Sequence, residues 1–124
     1  MATMFAFAES RNGALRKGAL EAVTAARQAA DATGGGEVHA LVAGPPGIET
    51  VAETLGRHGA DLVVVVAHEG FGRYHPEAVA ATVAARISAG GYRAAFFAAS
   101  AEGRDLAPRV AAEIENYRNR ERIR

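Results

Sequence analysis

A hydroxyl, a glycine and an arginine lie close together in one stretch of the chain, at Ser100, Gly103 and Arg104. They follow an apolar run and precede residues with helical spacing, so we expect them at the N-terminus of a helix. Free backbone amides and the helix dipole favour an anion at such a position, which makes these residues candidate ligands of a phosphate-bearing cofactor. A structural interpretation is also open: Gly103 forms the turn, Asp105 caps the helix, and Arg104 and Arg109 form surface ion pairs.

Acidic neighbours weigh against a phosphate in this segment. Glu102 and Asp105 flank the candidate ligands, and their charges would repel an anion. If Asp105 is the N-cap, the helix begins after it, and Pro108 falls in the first turn, where its missing amide costs no hydrogen bond. The sequence therefore favours the structural interpretation of the segment without removing the other.

Other residue groupings carry little chemistry. His68 and His75 share a predicted loop with Glu69, but their spacing matches no established metal site, and we predict none. Ser10 and Ser100 lack both a nucleophile elbow and an identifiable base. No glycine-rich dinucleotide fingerprint or phosphate-binding loop is present in the sequence. We therefore expect a protein that is not an enzyme.

Composition excludes several classes of protein. Fourteen basic residues balance fourteen acidic ones, giving a net charge of +0, so nucleic acid, which needs a basic field, is not an expected partner. The absence of cysteine excludes disulfides, thiolate zinc sites and iron–sulfur clusters. Because no apolar stretch approaches the roughly 20 residues of a spanning helix, we expect no membrane insertion and a cytoplasmic location.

The elements that must position these residues alternate between strand and helix. Continuous apolar runs predict strands buried on both faces, whereas helical spacing fills the segments between them. This alternation predicts an α/β fold, a three-layer doubly wound parallel sheet of about four strands with helices on both faces. The predicted strands are 4–8, 38–42, 62–67 and 94–98; the predicted helices are 15–32, 48–57, 76–90 and one beginning after residue 105.

Ligands of such sheets bind beyond the carboxyl ends of the strands, where the winding reverses. The candidate loops are therefore residues 9–13, 44–47, 68–75 and 99–104. Residues 34–36, three glycines, follow a helix and are predicted to end it. We expect one domain over residues 1–115, followed at 116–124 by a polar, arginine-rich helix end or tail.

Residues 103–112, GRDLAPRVAA, strongly resemble a segment in the first domain of the electron transfer flavoprotein alpha subunit. Further segments resemble that family in the same order: 4–9, 13–17, 20–22, 36–44, 59–66 and the Y-x-P-E motif at 74–77. The resemblance covers residues 4 to about 114. It implies the strand order 3-2-1-4, in which strand 94–98 is terminal. Because residues 115–124 do not resemble the fifth strand that follows in the family, we expect another chain to cover this edge.

The resemblance also implies a function. Members of this family are heterodimeric carriers that accept electrons from flavin dehydrogenases and pass them to an acceptor, and their partner is a beta-type subunit. Their FAD is held mainly by a second domain whose flavin motif this sequence lacks, so FAD is expected in the assembled complex and not on this chain alone. Ala99-Ser100 stands where many members have a threonine-containing loop. The alternative function is an autonomous adenine-nucleotide-binding domain of the same superfamily, with AMP as a possible ligand. A second copy of the chain is the alternative partner.

Overall fold

A computed structural model describes the backbone of residues 2–123 and the side chains of residues 2–120. Strands and helices alternate along the chain, as the apolar patterning predicts. In chain order the elements are β1 (Met4–Ala8), β2 (Ser10–Arg11), β3 (Ala14–Leu15), α1 (Lys17–Ala32), β4 (Val38–Gly44), a 3-10 turn (Ile48–Val51), α2 (Ala52–Arg57), β5 (Leu62–Ala67), a second 3-10 turn (Glu69–Gly72), α3 (Pro76–Gly90), β6 (Ala94–Phe96) and α4 (Ala101–Ile123).

Four parallel strands form the central sheet in the order β5-β4-β1-β6. Met4 of β1 pairs with Val38 on one side and with Ala94 on the other, and β4 pairs in turn with β5. This is the predicted α/β class and the predicted strand order, so both predictions are confirmed. All five residues of β1 are buried, which explains why that strand is a continuous apolar run.

Two apolar layers enclose the sheet. Successive side chains of a strand point to opposite faces, so Met4 and Ala6 pack towards α1 and α2 whereas Phe5 and Phe7 pack towards α3 and α4. Small residues let α1 approach the sheet closely, because its buried face is four alanines and a valine: Ala19, Ala22, Val23, Ala26 and Ala30.

The predicted end of α1 is confirmed. Gly34 and Gly35 have φ values of +99° and +81°, in the left-handed region that glycine tolerates. The Gly35 amide donates to the Ala30 carbonyl at 2.9 Å, which satisfies one of the free carbonyls at the helix end.

Residues 9–13, predicted as a candidate ligand loop, contribute most of a short hairpin instead. β2 and β3 pair antiparallel through a turn at Asn12 and Gly13, whose φ values are +53° and +79°. Two consecutive positive φ values define the turn that best matches strand twist, and Asn-Gly is its preferred sequence. This dipeptide was the signal that could have predicted the hairpin.

The fourth helix begins five residues earlier than predicted, at Ala101. Ser100 is its N-cap, because the Gly103 amide donates to Ser100 Oγ at 3.0 Å. Placing Asp105 as the cap and Pro108 in the first turn was therefore wrong: Pro108 lies inside the helix. Because proline has no amide hydrogen, it cannot donate to the carbonyl of Arg104, four residues earlier.

β6 is also shorter than the predicted strand 94–98, since its pairing with β1 ends at Phe96. The polar segment expected from residue 116 continues α4 as far as Ile123, and Tyr117 packs against the core. The side chains of residues 121–124 lie outside the described part.

Candidate functional site

The winding of the sheet reverses between β1 and β6, because β4 and β5 lie on one side of β1 and β6 on the other. The carboxyl ends of these two strands therefore define the crevice where a ligand of this fold would bind. Glu9 follows β1 directly, and Ser100 closes the loop after β6. These two residues face each other across the crevice.

A hydrogen bond closes this crevice from within. Ser100 Oγ donates to Glu9 Oε1, while the same oxygen accepts the Gly103 amide. Among the residues whose side chains are described, Glu9 is the buried charged one, at 2% exposure. Its carboxylate thus lies, through Ser100, against the N-terminus of α4, where negative charge is favoured.

Two glycines allow the surrounding backbone to approach closely. A Cβ on Gly103 would lie 1.9 Å from the Ala98 carbonyl oxygen, so only glycine fits there. A Cβ on Gly18, in the first turn of α1, would lie 2.6 Å from the Ala98 Cβ and 3.4 Å from the Glu9 carboxylate. The crevice is therefore filled by this chain's own atoms.

Glu102 is the second acid at this end of the sheet. Burial, together with the charge of Glu9, raises its pKa from 4.5 to about 7, although Arg11 and Arg16 oppose the shift. Glu102 also helps to line a small cavity above the ends of β1 and β4, together with Phe7, Ser10, Ala43, Phe71, Arg73, Tyr74 and Val79. Near neutral pH the carboxyl of Glu102 therefore changes its protonation state.

Asp105 has a tertiary role and not a capping role. It accepts hydrogen bonds from the Tyr74 hydroxyl at 2.8 Å and from Arg109 Nε at 3.1 Å. The Tyr74 bond is the main reason that the pKa of Asp105 lies below its usual value. Burial first, and then this bond to Asp105, raises the pKa of Tyr74. The expected ion pair of Arg109 is thus present, and it is made with Asp105.

The predicted ligands are only partly brought together. Ser100 and Gly103 meet at the start of α4, but their polar groups already bind each other and Glu9. Arg104 is exposed and takes part in none of the ion pairs found among residues 2–120. The residue that sequence reasoning missed is Glu9, and its signal was a single acid directly after a fully apolar strand.

The histidine loop has a local structural role in this structure. His68 Nδ1 accepts the Gly70 amide at 2.9 Å and so begins the 3-10 turn after β5. Within the described residues, no three acidic, histidine or cysteine side chains gather as a metal site would require. In that same part of the chain, no helix combines the length and apolarity needed to cross a membrane.

Comparison with known proteins reveals the family. The model of the Electron transfer flavoprotein domain matches residues 4–116. This chain belongs to the electron transfer flavoprotein family. It is 35% identical over 115 residues to the electron transfer flavoprotein subunit alpha of Syntrophomonas wolfei subsp. wolfei, covering 93% of this chain and 34% of the relative. It is 34% identical over 108 residues to the corresponding subunit of Thermoanaerobacterium thermosaccharolyticum, covering 87% and 32%. The chain thus spans about a third of the length of these relatives and is an electron transfer flavoprotein alpha-type domain.

In this electron transfer flavoprotein domain, the GRDLAPRVAA segment forms the first half of α4. Gly103 permits the close approach to Ala98, and Asp105 holds Tyr74 of the Y-x-P-E motif. Leu106 and Val110 lie in the core beneath β1. The motif that carries the resemblance therefore joins the start of α3 to the start of α4.

Proposed function

We propose that this chain is a scaffold domain in a flavin-based electron carrier, associating with a beta-type subunit and receiving electrons from flavin dehydrogenases as part of that assembly. In this proposal it carries out no catalysis, acts in the cytoplasm, and does not bind FAD by itself. The FAD of the assembled carrier is bound elsewhere. A second copy of this chain is the alternative partner.

One observation supports the scaffold role: the switch-point crevice is closed by Glu9 and Ser100. A nucleotide phosphate entering there would have to displace a carboxylate that is 2% exposed, and it would meet the charge of Glu102 once that residue is ionised. Buried like charges at contact distance oppose binding strongly. At the position where related sheets bind ligands, the hydrogen bonds of Ser100 with Glu9 and with the Gly103 amide therefore connect β1, β6 and α4.

An FAD titration tests the first half of this proposal. Flavin fluorescence is followed while the chain is added to about micromolar FAD, a concentration at which a specific flavin site would saturate. We expect no saturable change with the chain alone. Saturable binding would contradict the proposal.

Co-purification tests the second half. The chain is co-expressed with a beta-type subunit and the remaining part of an alpha subunit, and the purified material is analysed by mass spectrometry and visible absorbance. We expect a complex that is yellow only when all parts are present. A chain that remains separate and colourless under these conditions would contradict the scaffold role.

The alternative, autonomous binding of AMP, has one observation in its favour. Arg11 and Arg16 lie near Glu102 and oppose its pKa shift, so positive charge is available beside the crevice. Calorimetric titration with AMP distinguishes the two functions, because only the alternative predicts saturable heat from the isolated chain. With Arg11→Ala as the matched variant, heat that is lost with the guanidinium would favour the nucleotide function.

A further inference from the structure

A chain of hydrogen bonds lies at the opposite end of the sheet from the crevice. Arg86 Nε, on α3, donates to the Tyr92 hydroxyl oxygen at 3.0 Å. The same hydroxyl lies 2.8 Å from His39 Nδ1, on β4. His39 Nε2 in turn lies 3.0 Å from Glu37 Oε1. These four side chains connect α3, β4 and the turn that precedes β6.

The direction of each bond follows from which groups can donate. A guanidinium has donors only, so the Tyr92 oxygen accepts from Arg86 and its own hydrogen is free to point to His39 Nδ1. A neutral imidazole has one donor and one acceptor nitrogen, so Nε2 then carries the hydrogen and donates to Glu37. Every bond in the chain is made when His39 is neutral in its Nε2–H tautomer.

Protonation of His39 reverses one of these bonds. Nδ1 becomes a donor, so the Tyr92 oxygen faces two cationic donors and its own hydrogen loses His39 as an acceptor. The Tyr92 ring has little room to move to a new partner. It packs edge-on against Phe5 with centroids 5.4 Å apart, and a Cβ on Gly90 would lie 2.2 Å from the ring.

Charged groups face His39 from several elements. Glu37 contacts it directly, and His39 is only 16% exposed at its side chain. Asp61, before β5, is near enough that His39 contributes, after the Val38 amide and Arg27, to holding the pKa of Asp61 below its usual value. From α3, Arg86 reaches it through the Tyr92 hydroxyl, whereas the β1 and β5 residues in register with it are apolar Phe5 and Leu62. His39 is therefore faced by two carboxylates and, through Tyr92, by one guanidinium.

We propose that His39 is a proton-operated latch on Tyr92. Neutral His39 holds the turn of residues 90–93 between α3 and β6, and protonated His39 weakens this hold because the Tyr92 hydroxyl hydrogen loses its acceptor and two cations then share the Tyr92 oxygen. Tyr92 also lines a groove between α3 and α4 with Ile87, Ile114 and Tyr117, so this weakening changes the surface at this end of the domain. This inference is independent of the proposed function, because it concerns residues far from the crevice.

Hydrogen exchange tests the latch. Amide protection at residues 90–94, corrected for intrinsic exchange, is compared at about pH 8 and about pH 5, the limits between which histidines usually titrate. We expect protection to fall about tenfold at the lower pH, because the Tyr92 hydroxyl hydrogen is then left without its acceptor while two cations share its oxygen. In His39→Gln the carboxamide accepts from Tyr92, donates to Glu37 and cannot be charged, so protection stays high at both pH values.

His58→Gln is the matched control. His58 is exposed at the end of α2, and its side chain bonds the nearby Thr54 carbonyl, so this variant should keep the acid response. Nitrogen chemical shifts of wild-type His39 provide a second readout that needs no mutation: at about pH 8 we expect the Nε2–H tautomer. An Nδ1–H tautomer, a wild-type protection that does not change with pH, or an acid response that survives in His39→Gln would each overturn the proposal.

Discussion

The raised pKa of Glu102 leads to a stability prediction with a definite sign. Its carboxyl titrates near 4.5 when the chain is unfolded and at about 7 when it is folded, because of burial and the nearby Glu9. The folded state therefore binds the proton more tightly than the unfolded state does. The resulting stability is fully present below about pH 4.5 and is lost as the pH rises through about 7.

Replacing Glu102 by glutamine removes this loss of stability at high pH, because glutamine does not ionise. At about 1.4 kcal/mol for each pKa unit, the step from 4.5 to about 7 gives an upper bound of roughly 3.5 kcal/mol. Solvent screens a side chain that is only partly buried, so we expect Glu102→Gln to stabilise the protein by about 1–2 kcal/mol at pH ~8.5. The variant also loses a negative charge that is favourable in the first turn of α4. This loss costs about 0.3–1 kcal/mol and is a further reason why the expected stabilisation is smaller than the upper bound. At pH ~4.5 the variant and the wild type should have nearly equal stability.

Urea denaturation at both pH values is the assay, with the free energy of unfolding taken from the midpoint and slope. Glu115→Gln, the same change at an exposed position of the same helix, is the control and should alter stability little at either pH. A Glu102→Gln effect that is the same at both pH values would refute the reasoning, since it would show that the charge of Glu102 is not the cause.

Three further predictions concern packing, ion pairing and the sheet edge. Gly103→Ala should destabilise the fold by about 1–3 kcal/mol, because its Cβ would meet the Ala98 carbonyl. Gly56→Ala is the control: a Cβ there would meet nothing within 4 Å, so this variant should be neutral or stabilising by about 0.5–1 kcal/mol. Thermal unfolding of both variants checks this prediction. Arg27→Ala should lower the free energy of unfolding by about 1–2 kcal/mol, because Arg27 bonds Asp61 at 2.8 Å and the Gly36 carbonyl at 2.6 Å. Arg57→Ala breaks only an exposed ion pair, so in the same urea assay it should lower the free energy of unfolding by under about 0.5 kcal/mol. On the terminal strand β6, the amides that point away from β1 should exchange slowly only when the protein is oligomeric or bound to its partner; slow exchange of these outer-edge amides in a dilute monomer would contradict this.

Local patterning was enough to predict most of the elements. Four apolar runs without alternation predicted parallel strands, and the glycines at 34–36 predicted the end of α1; both predictions are confirmed. Burial on both faces is found for β1 and nearly all of β4, whereas the edge strands β5 and β6 are only partly buried, so that part of the prediction was wrong for them. The GRDLAPRVAA resemblance predicted the strand order and the family, which the comparisons confirm. These features depend on neighbouring residues in the sequence or on a motif, so they can be predicted from the sequence alone.

The start of α4 could not be predicted in the same way. Both Ser100 and Asp105 are good capping residues, and sequence alone ranks them about equally. What decides between them is a contact 31 residues away, because the Tyr74 hydroxyl binds Asp105 while the Gly103 amide binds Ser100. Local propensity does not contain that information.

The sequence by itself determined the α/β class, the four parallel strands and the motif that places this chain among electron transfer flavoproteins. Only the tertiary structure decided what occupies the switch point, since Glu9 and Ser100 are 91 residues apart and meet because β1 and β6 are neighbours in the sheet. The same holds for the link between Arg86, Tyr92 and His39, which lie on separate elements. Whether a polar side chain binds a ligand, caps a helix or joins two strands depends on which partners the fold brings within hydrogen-bond distance.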